Sequence, residues 1–183
     1  MNSYIEITIK PDAEMPLNWL LNAIYTKLHK ALADASSTNL GVSFPKMKIT
    51  LGDTLRLHGK VITLDRFTSS DWLGGMRGYC SLSPILPVPD TAQHRTISRK
   101  QPSMTQSKLN RLLKRGSISQ EQVKEYRVKM FTKGLDNPYV ELKSASNGHS
   151  HRRYIEFGEL RDKPLIGDFD QFGLSKTATI PWF

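Results

Sequence analysis

Residues 4–9 read Tyr4-Ile5-Glu6-Ile7-Thr8-Ile9. Isoleucine at every second position puts three apolar side chains on one face of a strand and the polar ones on the other. Pro16 then opens a segment in which Leu17, Leu20, Leu21, Ile24, Leu28 and Ala31 recur at helical spacing and define one buried stripe. Proline suits a helix start, where the N–H it lacks has no intrahelical acceptor. Working outward, Gly41-Val42-Ser43-Phe44 and Ile49–His58 read as strands, with breaks at Pro45 and Gly52-Asp53. A helix is expected over Leu64–Leu73, ended by Gly74-Gly75, and a strand over Gly78–Val88. The order β-α-β-β-α-β predicts an α+β chain whose N-terminal half is ferredoxin-like, an arrangement that RNA-binding domains often use. Pro84, Pro87 and Pro89 precede an abrupt turn to basic composition, so the expected units are 1–90 and 91–183.

The second half begins with an extended piece, His94–Gln101. Ser103 or Thr105 can cap a helix over about 105–115 in which Leu109, Leu112 and Leu113 point one way and Lys108, Arg111 and Arg115 the other. Gly116 ends it. Ser119-Gln120-Glu121-Gln122 matches a capping box, and Val123, Tyr126 and Met130 give the next helix its apolar stripe. Tyr139–Ser144 and Arg152–Phe157 form a hairpin around Asn147-Gly148. A chain ending Pro181-Trp182-Phe183 is expected to dock that end into the core or a site.

The charge is concentrated. Of 26 Lys and Arg in the 183 residues, eleven lie between Arg95 and Lys133, opposed there only by Glu121 and Glu125. The rest of the chain is formally neutral, so one segment carries the whole net charge of +9. That is the footprint of a nucleic-acid-binding element, since each cation placed on a phosphate releases counterions. A ribosomal or membrane-surface protein would also be basic.

Other classes fall away. Cys80 is the single cysteine, which excludes an intramolecular disulfide and cysteine ligand sets for zinc. No run of about 18 apolar residues suggests a membrane span, and the first residues do not read as a signal peptide, so a cytoplasmic setting is expected. His149-x-His151 is the one close histidine pair, in a Gly/Ser/Asn-rich turn with no carboxylate in register, and reads as surface loop rather than metal site. There is no nucleophile elbow, Walker loop or paired-carboxylate motif, and no metal or cofactor is expected. RNA can be cut without these, because its own 2′-OH attacks the adjacent phosphate once a base removes the proton. Histidine suits that role, and His29, at the edge of the helical stripe between Lys27 and Lys30, is a candidate whose alternative is an ordinary helix-edge residue.

Lys27-Leu28-His29-Lys30-Ala31-Leu32, Gly41-Val42-Ser43-Phe44-Pro45, Ser98-Arg99-Lys100-Gln101, the basic helix, Lys143-Ser144-x-Ser146-x-Gly148, Gly173-Leu174-Ser175-Lys176 and Pro181-Trp182-Phe183 stand in that order. Together they resemble the type I-F CRISPR RNA-maturation endoribonucleases. The resemblance implies metal-independent cleavage at the base of a repeat RNA hairpin, leaving a 2′,3′-cyclic phosphate and a 5′-hydroxyl. It also implies retention of the product and a place among the subunits of an interference complex. It makes His29 the general base and Ser144 the residue that orients the 2′-OH nucleotide. Arg99 and Gln101 become base readers at the foot of the stem, a pairing that fits arginine to guanine and glutamine to adenine. Lys108, Arg111, Lys114 and Arg115 become phosphate contacts, His151 a stacking residue, and Ser146 and Phe172 supports of the site. Three departures stand out: Phe172 where the family has a tyrosine, His151 where it has a larger stacking aromatic, and Leu112 and Gly116 where arginines are expected. The first leaves no hydroxyl to hold His29 and gives weight to an alternative, a non-cleaving subunit that caps the guide hairpin.

Overall fold

A computed structural model describes residues 1–101, 104–132, 136–143 and 148–183. Strand β1 (Ser3–Ile9) buries Ile5, Ile7 and Ile9 as its alternation requires. Helix α1 (Leu17–Asp34) lays Leu20, Leu21, Ile24, Tyr25, Leu28 and Leu32 into the interior. Then follow β2 (Gly41–Ser43), β3 (Thr54–Gly59), α2 (Val61–Thr68), a 3-10 turn (Gly74–Tyr79), β4 (Cys80–Leu82) and β5 (Leu86–Pro87). The first sheet has the order β2-β3-β1-β4, with β5 also on β1, and every pairing is antiparallel.

Three expected boundaries moved, each for a local reason. The strand anticipated from Ile49 starts only at Thr54, because Gly52 turns the chain at φ +80°, where an extended strand cannot run. The second helix lies at Val61–Thr68 rather than Leu64–Leu73. The hydroxyls of Thr68, Ser69 and Ser70 all bond to backbone carbonyls at its end, offering the chain an alternative to another turn. The strand over Gly78–Val88 is two short pieces. Ser83 bonds to Glu6 through both its backbone N–H and its hydroxyl, and Pro84 has no N–H to continue the ladder.

Beyond residue 90 come β6 (Gln93–Arg95), β7 (Ile97–Lys100), α3 (Gln106–Lys114), α4 (Gln120–Thr132), β8 (Tyr139–Lys143), β9 (Ser150–Phe157) and β10 (Ile180–Trp182). A second sheet has the order β7-β9-β8, and β10 pairs with β6. The main core runs across residue 90: Ile97, Val140, Leu142, Ile155, Phe172 and Ile180 pack in one cluster with β1 and α1. At the border, the Asn22 side chain on α1 accepts a hydrogen bond from the Glu141 backbone at 2.9 Å. The chain end docks as anticipated, with Phe183 edge-on to Tyr4 at 5.0 Å and the Arg56 guanidinium over its ring at 4.2 Å.

Helices α3 and α4 stand on a separate small cluster, Leu109, Val123 and Tyr126. Thr105 caps α3 by accepting from the Lys108 N–H, and Ser119 and Gln122 exchange the two bonds of a capping box. Leu113 departs from expectation: it is exposed, and only Leu109 of the three leucines is fully buried.

Candidate active site

Helix α1 carries His29 to the edge of the core, where its Nδ1 lies 2.8 Å from the backbone oxygen of Gln171. A carbonyl oxygen only accepts, so Nδ1 carries the hydrogen and the lone pair of a neutral ring is left on Nε2. The imidazole lies flat on the Phe172 ring, with centroids 3.6 Å apart and planes 9° from parallel. A backbone carbonyl thus fixes the tautomer and a stacked ring fixes the plane.

The segment that supplies both contacts is tightly held. Asp170 accepts from the N–H groups of Phe172 and Leu174 at 2.8 and 3.0 Å. The Tyr25 hydroxyl donates to the Phe172 carbonyl at 2.9 Å, and burial pushes that phenol well above its ordinary pKa, so it stays a neutral donor. Gly173, at φ +69°, sits so close to β2 that an added Cβ would lie 2.4 Å from a Val42 methyl, and its carbonyl accepts from the Val42 N–H. Glycine alone satisfies both the backbone angle and the space.

Arg99, His151 and Arg153 lie on one face of the second sheet, and of these Arg153 reaches the Phe172 ring. Directly paired residues share a face, and Arg99 pairs with Ile155, His151 with Leu142, and Arg153 with Val140. Since Ile155, Leu142 and Val140 are buried, Arg99, His151 and Arg153 belong to the core-directed face. The opposite face carries the Lys100–Glu156 ion pair and Arg152, which stacks on Tyr139. Gln101 follows β7 directly and is exposed. His151 is exposed at the outer end of the face. Lys108, Arg111, Lys114 and Arg115 are all exposed on or beside α3, apart from the His29 cluster in the packing. Ser144 and Ser146 lie outside the described residues.

Sequence reading missed Arg153, Tyr25 and Asp170. Arg153 is only 6% exposed and places its guanidinium carbon 3.4 Å from the Phe172 centroid. Burial, then repulsion from Arg99, holds its pKa below the usual guanidinium range, while Tyr25 and Asp170 act in the other direction. The period of two in β9 was the available signal, since it sets Arg153 on the face of Ile155. A cleft of about 590 Å³ between the start of α1 and the start of β8 contains none of these residues. Among the described residues, no group of three or more His, Cys, Asp or Glu side chains comes together as a metal site requires, and no helix is long and apolar enough to cross a membrane.

Residues 4–183 match the family described as CRISPR-associated protein (Cas_Csy4). The chain is 38% identical over 184 residues to the CRISPR-associated endonuclease Cas6/Csy4 of Escherichia coli (strain UTI89 / UPEC), covering 100% of both. It is 33% identical over 187 residues to the protein of the same name from Pseudomonas aeruginosa (strain UCBPP-PA14), again over 100% of both.

Proposed function

This chain belongs to the CRISPR-associated Csy4 family, and on that premise we propose that it is a hairpin-specific endoribonuclease that processes precursor CRISPR RNA without a metal. The observation that carries the reading is the bond between His29 Nδ1 and the Gln171 carbonyl, which leaves Nε2 as the free basic atom. In the reaction, Nε2 takes the 2′-OH proton as the 2′-oxygen bonds to phosphorus. The bond from phosphorus to the 5′-oxygen breaks, and that oxygen takes up a proton. The products are a 2′,3′-cyclic phosphate and a 5′-hydroxyl. Ser144 orients the nucleotide that bears the 2′-OH, with Ser146 and Phe172 supporting the site. Arg99 and Gln101 read bases at the foot of the stem, His151 stacks on the terminal pair, and Lys108, Arg111, Lys114 and Arg115 hold phosphates. The exposed cations of α3, with no acidic residue on that helix, support the last assignment. The protein retains its product and joins other subunits of a type I-F interference complex in the cytoplasm. We read residues 1–90 as a ferredoxin-like domain, supported by the all-antiparallel order β2-β3-β1-β4, and 91–183 as the RNA-docking domain.

His29→Ala is the test. Single-turnover cleavage of the cognate repeat is expected to fall by about 10²–10⁴-fold, the range for loss of a general base, with hairpin affinity retained. Cleavage at the wild-type rate would overturn the assignment. A second reading, a hairpin-capping subunit that does not cut, is favoured by the absence of a hydroxyl on Phe172. It predicts that the wild-type protein and His29→Ala bind alike and neither cleaves.

A further inference from the structure

Arg153 is a cation in the interior. The residue is 6% exposed, its Nε has no hydrogen-bond partner among the described residues, and its neighbour Arg99 repels it while Tyr25 and Asp170 act in the other direction. Burying a guanidinium is costly unless a carboxylate bonds to it, and no carboxylate stands within ion-pair distance of Arg153 among the described residues. What Arg153 does touch is the face of Phe172, at 3.4 Å from guanidinium carbon to ring centroid. His29 lies over the same ring at 3.6 Å. Two planar groups that close to one centroid would overlap on a common face, so they occupy opposite faces. The stack runs Arg153, Phe172, His29.

We infer that Arg153 is a positioning residue for His29: it clamps the Phe172 ring from behind, and the clamped ring sets the plane in which the imidazole presents Nε2. The inference rests on the reading of His29 as the base. The backbone at Phe172 is fixed by Asp170 and Tyr25, but its side chain has no polar atom with which to anchor itself. Core packing confines it, and the stacked groups on its two faces set its plane. A guanidinium is flat, permanently charged and suited to lying on an aromatic face, so it fixes the ring where a hydroxyl bond is absent. The alternation of β9 makes position 153 an interior position on the face of Val140 and Ile155, where an aliphatic residue would be the ordinary choice. Arginine there is explained by the ring it holds.

The test uses the full-length protein with Arg153→Leu, Phe172→Leu and the double variant. An uncompensated buried charge costs stability, so Arg153→Leu is expected to melt at or above the wild-type temperature. Its single-turnover cleavage is expected to fall by about 10- to 100-fold, the scale of a small misplacement of a catalytic group, while hairpin affinity holds. The double variant should be no slower than Phe172→Leu, because the arginine acts through the ring. Arg153→Lys keeps the charge without the flat face and should recover only part of the rate. A readout independent of cleavage is the proton spectrum of the RNA-free protein. The Phe172 ring current shifts the His29 ring protons upfield, and Arg153→Leu should return them toward free-histidine positions. Wild-type cleavage by Arg153→Leu, multiplying losses in the double variant, or a loss confined to hairpin affinity would each overturn the inference. If the wild-type protein binds hairpins without cutting, the base reading falls and the proton shifts decide the clamp, unchanged shifts refuting it.

Discussion

His29 is held on one edge by the Gln171 carbonyl and on one face by Phe172, and the segment that provides both is tied to α1, β2 and its own Asp170. Lys108, Arg111, Lys114 and Arg115 instead project from or beside a nine-residue helix whose buried anchorage is Leu109 against Val123 and Tyr126. The two regions are built to different tolerances. As the proposed base, His29 would have to meet one proton within a fraction of an ångström, and its surroundings are fixed by the main core. The proposed phosphate contacts, made through long, flexible stems, would accept a looser frame, for which a small satellite cluster suffices. On this account the core region sets the chemical rate, and the α3–α4 arm sets how tightly RNA is held.

The strongest way to break that division is Leu109→Ala. Truncating a fully buried leucine costs about 2–5 kcal/mol, and here the satellite cluster has little else to draw on. Amide protection in α3 and α4 should collapse and hairpin affinity should drop, while the rate at saturating RNA and the protection of β1 and α1 persist. Loss of the saturated rate would show that the regions are not separable. Gly173→Ala attacks the other side. Its Cβ would meet Val42 at a disallowed distance and an unfavourable backbone angle, and such overpacking costs about 1–3 kcal/mol. Here the melting temperature and the saturated rate should fall together.

Acid sharpens the comparison further. His58 is fully buried beside Ser43, and desolvation, with lesser help from Arg56 and the N-terminus, pulls its pKa down to about 3. Below the ordinary imidazole pKa of about 6.5 the unfolded chain takes up a proton that the folded chain refuses. Stability from this group is therefore complete above that value and falls as pH falls toward 3, by at most about 1.4 kcal/mol per pH unit. Urea midpoints of the main core should track that slope, and His58→Gln should flatten it. The smallest effect is at the arm: Thr105→Ala removes the cap on α3 and should cost about 1 kcal/mol, seen as fraying of α3 in amide exchange with no change in the saturated cleavage rate.

Local features were legible in the sequence where one residue decides them. The isoleucine alternation of β1, the stripe of α1, a cap at Ser103 or Thr105 (Ser103 lies outside the described residues) and the Ser119–Gln122 box all needed only neighbouring residues. The concentration of charge between Arg95 and Lys133 was equally plain. The histidine site was legible only in part, because its supports come from far along the chain: Gln171 lies 142 positions from His29, and no local period links them. Arg153 was hidden for another reason. A charged residue reads as surface, and only the period of two that it shares with Ile155 hints that its position faces inward. Tyr25 and Leu32 were passed over on α1 in favour of Ala31, since the stripe is wider than the leucine spacing alone suggests.

The central claim, that the RNA's 2′-OH is the nucleophile and needs no metal, is tested most directly by one cleavage assay. The cognate repeat hairpin is incubated in EDTA beside a copy with a single 2′-deoxy substitution at the cut site. The account predicts that the first is cut, leaving a cyclic phosphate, and that the second is bound and left intact. Cleavage of the 2′-deoxy hairpin, or a requirement for added metal, would contradict it.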